Sequence, residues 1–119
     1  MAIMSDQISD LTKLVLKFRE ERDWAQFHNP KDVAVSLMLE AAELLELTQW
    51  KNGKGLEDHL AQNHEALSDE LADIFGWLLV LAHDQKIDLA EALRRKLVKN
   101  AQKYPIEKSR GVSRKYTEL

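Results

Sequence analysis

The sequence predicts an all-α protein, a four-helix-bundle-like fold assembled as a homo-oligomer, and three observations carry that expectation. Leu and Ala together number 31 against 11 for Val and Ile, a balance that favours helix over strand. Apolar residues recur at helical spacing through most of the chain, and both prolines fall between the periodic segments. Two of those segments are apolar almost all the way round; Val33 to Leu47 is interrupted only by Ser36, Glu40, Glu43 and Glu46. A chain of 119 residues has too little surface of its own to bury two such helices, so part of them is expected in a subunit interface.

The first helix is expected from about Asp6 to Arg22, where Ile8, Leu11, Leu14, Val15 and Phe18 make one apolar stripe. It ends near Trp24. Asn29-Pro30-Lys31-Asp32 reads as a helix start, with Asn29 as cap, Pro30 at the first helical position and Asp32 favourable to the dipole. That second helix runs to about Trp50, where Asn52-Gly53-Lys54-Gly55 stops it. Leu56 to Asn63 reads as a helical turn or a mobile loop before a third long helix from about His64 to Gln85. Asp88-Leu89-Ala90-Glu91 has the spacing of a capping box and opens the fourth helix, which Pro105 ends. Residues 1–105 are thus expected to form a single helical domain and residues 106–119 a basic C-terminal tail.

Composition removes several function classes. With no cysteine, the chain has no thiolate zinc site, iron-sulfur cluster, disulfide or cysteine nucleophile. Its longest apolar run, Ile74 to Ala82, is far short of the roughly 20 residues a membrane span needs, and Met1 to Asp6 lacks a signal-peptide pattern. The expectation is a cytoplasmic protein with no membrane partner. Glu40 to Asp73 holds nine acids against two bases, whereas Arg94 to the end holds nine bases against two acids. With a net charge of -3, that distribution suits a metal-bound polyanion better than duplex DNA, and no stable nucleic-acid partner is expected.

Glu40-Ala41-Ala42-Glu43 places two carboxylates three residues apart on one side of a helix, and Glu70-Leu71-Ala72-Asp73 repeats the arrangement. Surface acids pairing with lysines are the plain alternative. Here, however, the acids interrupt apolar sequence, and the lysines that follow, Lys51 and Lys54, lie beyond the helix end. Carboxylates buried alone are too costly to keep ionised, so they need a cation, a proton or a bound metal. Facing helices would converge all four, and hard oxygen ligands completed by water describe a Mg²⁺ site shared with substrate phosphates. Glu46 extends the first pair by a turn and fits a ligand, base or supporting role equally. Carboxylate-bridged di-iron chemistry needs Glu-x-x-His pairs, and the residues three before His28, His59, His64 and His83 are Ala25, Leu56, Ala61 and Val80.

Aromatic residues supply a second signal. Trp24, Phe27 and His28 precede the second helix, Trp50 ends it, and Trp77 follows Asp73 by one turn. A tryptophan in a bundle is more often core than ligand. Beside an acidic metal site, these residues could instead stack a base whose triphosphate reaches the metal.

Glu40-x-x-Glu43 followed after 26 residues by Glu70-x-x-Asp73 resembles the signature of the all-α nucleoside triphosphate pyrophosphohydrolases, the superfamily of MazG-like proteins and dimeric dUTPases. Arg22 to Pro30, Glu46 to Lys51, Lys96-x-x-x-Asn100, Tyr104-Pro105 and Ser113 to Leu119 look like its dCTP pyrophosphatase branch, over nearly the whole chain from Phe18. The resemblance implies a homotetramer, a dimer of dimers, that uses Mg²⁺ to split dCTP and modified dCTPs into monophosphate and pyrophosphate. By matching position it implies Glu40, Glu43, Glu70 and Asp73 as metal ligands and catalytic carboxylates. Trp24, Phe27, His28 and Trp50 would hold base and sugar, with Trp77 near the nucleotide, Asn100 at the base edge and Lys96 contacting the nucleotide. Glu43 is the first choice for positioning the attacking water, and Arg114 or Lys115 could neutralise the outer phosphates. Animal members carry histidine at the position of Val15 and tyrosine at that of Trp77, so base choice is the feature most open to change. The alternatives are the same chemistry on other nucleoside triphosphates, a helical assembly module without turnover, and an RNA-binding protein using the basic tail.

Overall fold

The computed structural model describes residues 2–119, with side chains from residue 7 onward; Met1, part of the stretch read for a targeting signal, lies outside the described residues. Its helices are α1 (Ala2–Glu21), α2 (Pro30–Thr48), α3 (Gly53–Gln62), α4 (His64–Asp84), α5 (Leu89–Lys103) and the single turn α6 (Ile106–Ser109). Short 3-10 turns occupy Ala25–Phe27 and Tyr116–Glu118, and no strand occurs among the described residues. The chain forms two compact units that divide between Lys86 and Ile87.

In the N-terminal unit, α2 lies along α4 in the most extensive helix pairing, α1 packs on α4, and α3 touches both α2 and α4. The buried apolar residues among those described are Val33, Leu79, Val80 and Ala82, from the start of α2 and the second half of α4. That is a thin core. The apolar runs that demanded burial instead leave Met38, Leu39, Leu45 and Leu71 on the surface of the single chain. No helix is long and apolar enough to cross a membrane.

Local signals set the ends of these helices. Asn29 caps α2 as expected: its side-chain oxygen accepts from the Asp32 amide at 2.9 Å, with Pro30 in the first turn. Asp88 caps α5 by accepting from the Glu91 amide at 3.1 Å, while the Glu91 carboxylate pairs with Arg94. The third long helix expected from the sequence is α4, and it starts at His64 as expected, but the stretch before it differs. α2 ends earlier, at Thr48, and the chain turns through Trp50 at φ 70°; Asn52 to Gly55 does not stop it but opens α3, with Gly53 at φ 54°, so Leu56 to Asn63 is mostly helix, not loop. Lys54 reaches Asp58 one turn on, at 3.3 Å.

In the C-terminal unit, Pro105 ends α5 and opens the one-turn α6. The tail is folded back within its own unit. The Tyr104 and Tyr116 rings meet edge to face at 5.9 Å, and the Lys103 ammonium sits 4.8 Å from the Tyr116 ring centre.

Candidate functional site

The carboxylates come from α2 and α4, the two helices that pack most closely. Glu40 and Glu43 lie one turn apart on α2, and Glu70 lies on α4. One oxygen from each falls within 4.8 Å of the others, close enough for a single small cation to touch all three. Asp73, a turn beyond Glu70 on α4, is outside that tight group, although its charge still acts on both Glu40 and Glu70.

Such a cluster strains its own ionisation. Desolvation, then hydrogen bonding to Glu43 and repulsion from Asp73, push the Glu40 carboxyl up to about 7. Desolvation and Glu43 likewise raise Glu70 above the usual carboxylate range. Among the described residues no salt bridge reaches these acids. One oxygen of Glu40 and one of Glu70 are buried without a hydrogen-bond partner. Orphaned acceptors, all hard oxygen donors and no competing base together fit a divalent cation as the missing partner.

Beside the cluster lies a cavity of about 480 Å³, the size of a small-molecule site. Glu40 belongs to both. Asp73, Gly76, Trp77 and Val80 line the cavity along one face of α4, and Leu14, Val15, Phe18 and Arg19 line it from α1. Trp24 and His28 enter from the connection between α1 and α2.

That connection is shaped by how α1 stops. Asp23 adopts a left-handed conformation with φ 54°. The Trp24 amide donates to the Arg19 carbonyl at 3.1 Å and the Asp23 amide to the Glu20 carbonyl at 3.0 Å, the paired bonds of a Schellman cap. The cap folds Trp24 back onto Phe18, edge to face at 5.8 Å. A 3-10 turn then carries the chain to His28, whose ring meets Trp77 at 5.3 Å and 71°. The cavity wall is therefore aromatic and fixed by backbone hydrogen bonds.

Of the aromatic residues singled out in the sequence, Trp24, His28 and Trp77 line this cavity. Phe27 and Trp50 are not among its lining residues; Trp50 is 89% exposed and has φ 70°. Lys96 and Asn100 lie one turn apart on α5, in the C-terminal unit. Sequence reasoning missed Arg19, which lines the cavity while making a two-pronged ion pair with Asp84 at 2.9 and 3.0 Å. It also missed Gly76, which reads in sequence only as part of an apolar run.

The MazG-like family profile matches residues 35–119. The chain belongs to the MazG-like family. It is 39% identical over 114 residues to dCTP pyrophosphatase 1 of Mus musculus, covering 94% of this chain and 67% of that protein. The Homo sapiens dCTP pyrophosphatase 1 matches to the same extent. A pyrophosphatase from Archaeoglobus fulgidus DSM 4304, known from a crystal structure, superposes with a TM-score of 0.79 at 37% identity. That match covers 83% of this chain and 93% of the archaeal one, and it extends the family likeness from sequence to the all-α pyrophosphatase fold.

Proposed function

We propose that this MazG-like protein is a Mg²⁺-dependent nucleoside triphosphate pyrophosphohydrolase that converts dCTP, and modified dCTPs, to the monophosphate and pyrophosphate. The observation that carries this is the shared position of Glu40, which joins a cation-ready carboxylate cluster to an aromatic cavity sized for a nucleoside. The dCTP pyrophosphatases at 39% identity support the reaction and the cytosine substrate.

Glu40, Glu43 and Glu70 would hold the metal, with Asp73 as the fourth acid. When bound, Mg²⁺ supplies Lewis-acid stabilisation of phosphate charge and makes water more acidic. The chain's own residues do the rest. Glu43, the exposed member of the cluster, orients the water for attack at the α-phosphorus. Trp24 and Trp77 hold the base, with His28 fixed against Trp77. Phe27 and Trp50, both exposed, offer further aromatic surface to base and sugar. By the family pattern alone, Lys96 would contact the nucleotide, Asn100 would read the base edge, and Arg114 or Lys115 would neutralise the outer phosphates. The family pattern implies a homotetramer, and the apolar surface left on α2 and α4 supports self-association.

The deciding experiment incubates the protein with dCTP, dTTP, dUTP, dATP, dGTP and 5-substituted dCTPs, with and without Mg²⁺, and resolves the products. Monophosphate and pyrophosphate, formed fastest from cytosine nucleotides and only with Mg²⁺, are expected. Diphosphate and orthophosphate would overturn the position of attack, and absence of any product would leave a binding module. Val15 and Trp77, the two departures from the animal members, both line the cavity. They favour one second reading, the same reaction with a shifted base preference, which the panel distinguishes directly.

A further inference from the structure

Gly76 has no conformational reason to be glycine. It sits inside α4, twelve residues after the first residue of a helix that continues to Asp84, and it is not among the glycines with positive φ. Glycine in a helix interior is unfavourable relative to alanine because it orders a freer backbone and buries nothing. Close approach of another helix would justify it, but a Cβ built at Gly76 meets no atom within 4 Å. The space in front of it is the cavity, which Gly76 itself lines.

The neighbours of that space say what would fill it. Gly76 follows Asp73 by one turn, about 4.5 Å farther along the helix axis at 1.5 Å per residue. Trp77 is next to it in the chain, and Val80 is one further turn along. Val15 and Phe18 line the same cavity from α1. The carboxylates therefore lie toward one end of this α4 face and apolar and aromatic surface toward the other. A flat, weakly polar group suits that second part, whereas phosphate does not.

We infer that Gly76 is a shape-determining residue of the nucleotide site: its missing side chain leaves room for the pyrimidine ring to lie against the α4 backbone beside Trp77. The inference rests on the nucleotide reading above and adds a residue to it. The helix forgoes intrinsic stability at this position, and the ligand occupies the volume a side chain would have taken.

Gly76→Ala and Gly76→Val test it. Because a Cβ meets no atom of the chain, Gly76→Ala is expected to fold and to melt, without ligand, at or above the parent's temperature. Its KM for dCTP rises roughly tenfold, the usual scale for one carbon in a pocket, with kcat changed less than about twofold. Gly76→Val shows the larger rise. A normally folded Gly76→Ala and Gly76→Val with unchanged KM would overturn the inference, as would parallel losses of kcat and melting temperature. Failure of the substrate assignment is separate, since it appears as a parent protein that does not turn over dCTP. In that event tryptophan fluorescence titrations with dCMP and dTMP decide. Weaker binding by Gly76→Ala sustains the inference, while equal binding, or no binding to the parent, ends it.

Discussion

Glu40 shows how one side chain couples stability to ligand. In the metal-free protein its carboxyl titrates near 7, well above its ordinary value, chiefly because it is desolvated. Between the two values the folded chain holds a proton that the unfolded chain has released, so stability falls as pH rises from about 4.5 to 7. Glu70 shifts the same way and adds to the slope. Thermal melts of metal-free protein should therefore show a lower melting temperature at pH 8 than at pH 5.5. Added Mg²⁺ should raise it more at pH 8, where the ligands no longer have to release protons. A melting temperature that rises over this range without metal would refute the account. Glu43→Gln removes one charge with little change in shape; loss of Mg²⁺-dependent turnover by at least about 100-fold is expected, together with weaker Mg²⁺ binding by calorimetry. The cluster was legible in the sequence because Glu40, Glu43 and Glu70 interrupt apolar helices at turn spacing. Gly76 was not, since a missing side chain gives no pattern until the neighbouring space is seen.

At the scale of the element, the end of α1 and the start of α2 were visible in the chain because their signals are short-range. Asn29, Pro30 and Asp32 need only each other to cap a helix. The interior of α3 was harder, because Gly53 and Gly55 look like a loop until Leu56, His59 and Leu60 are seen to share one helical face. The clamp between α1 and α4 could not be read at all, since Arg19 and Asp84 are 65 positions apart. Hydrogen bonding to Arg19 holds the Asp84 carboxyl below its ordinary value against the opposing effect of burial. Their side chains are only 12% and 26% exposed, so breaking the pair should cost about 1–3 kcal/mol, between the values for exposed and fully buried pairs. Urea unfolding of Asp84→Asn measures this directly. The sign with pH follows: the carboxyl is depressed in the folded state, so its contribution is complete above the unfolded value and fades as pH falls through the folded one. The difference between parent and Asp84→Asn should thus shrink in acid. Because Arg19 also lines the cavity, the same variant is expected to raise KM for dCTP even where it remains folded.

For the whole molecule, the sequence predicted helices too apolar for one chain to bury, and the single chain indeed leaves them uncovered. Val35, Met38 and Leu45 are exposed along one stripe of α2, and Leu71, Phe75 and Leu78 along one stripe of α4. A monomer seldom presents so much contiguous apolar surface to water. Self-assembly, as in the proposed tetramer, would cover this surface, and it would also explain how a chain with four buried apolar residues among those described holds its carboxylates in register. The two helices that carry the apolar stripes are the same two that carry Glu40, Glu43 and Glu70, so assembly and activity should fail together. Met38→Glu and Phe75→Glu place charge in the stripes without touching the carboxylates. In sedimentation velocity the parent should run as one multimer whose melting temperature rises with protein concentration, whereas each variant should shift toward monomer. Turnover of dCTP should fall with the multimer fraction and recover in part at high protein concentration. A parent that sediments as a monomer at micromolar concentration while hydrolysing dCTP would show that the stripes serve something other than self-assembly. A dissociated variant with full turnover would show that the four-acid site needs only its own chain.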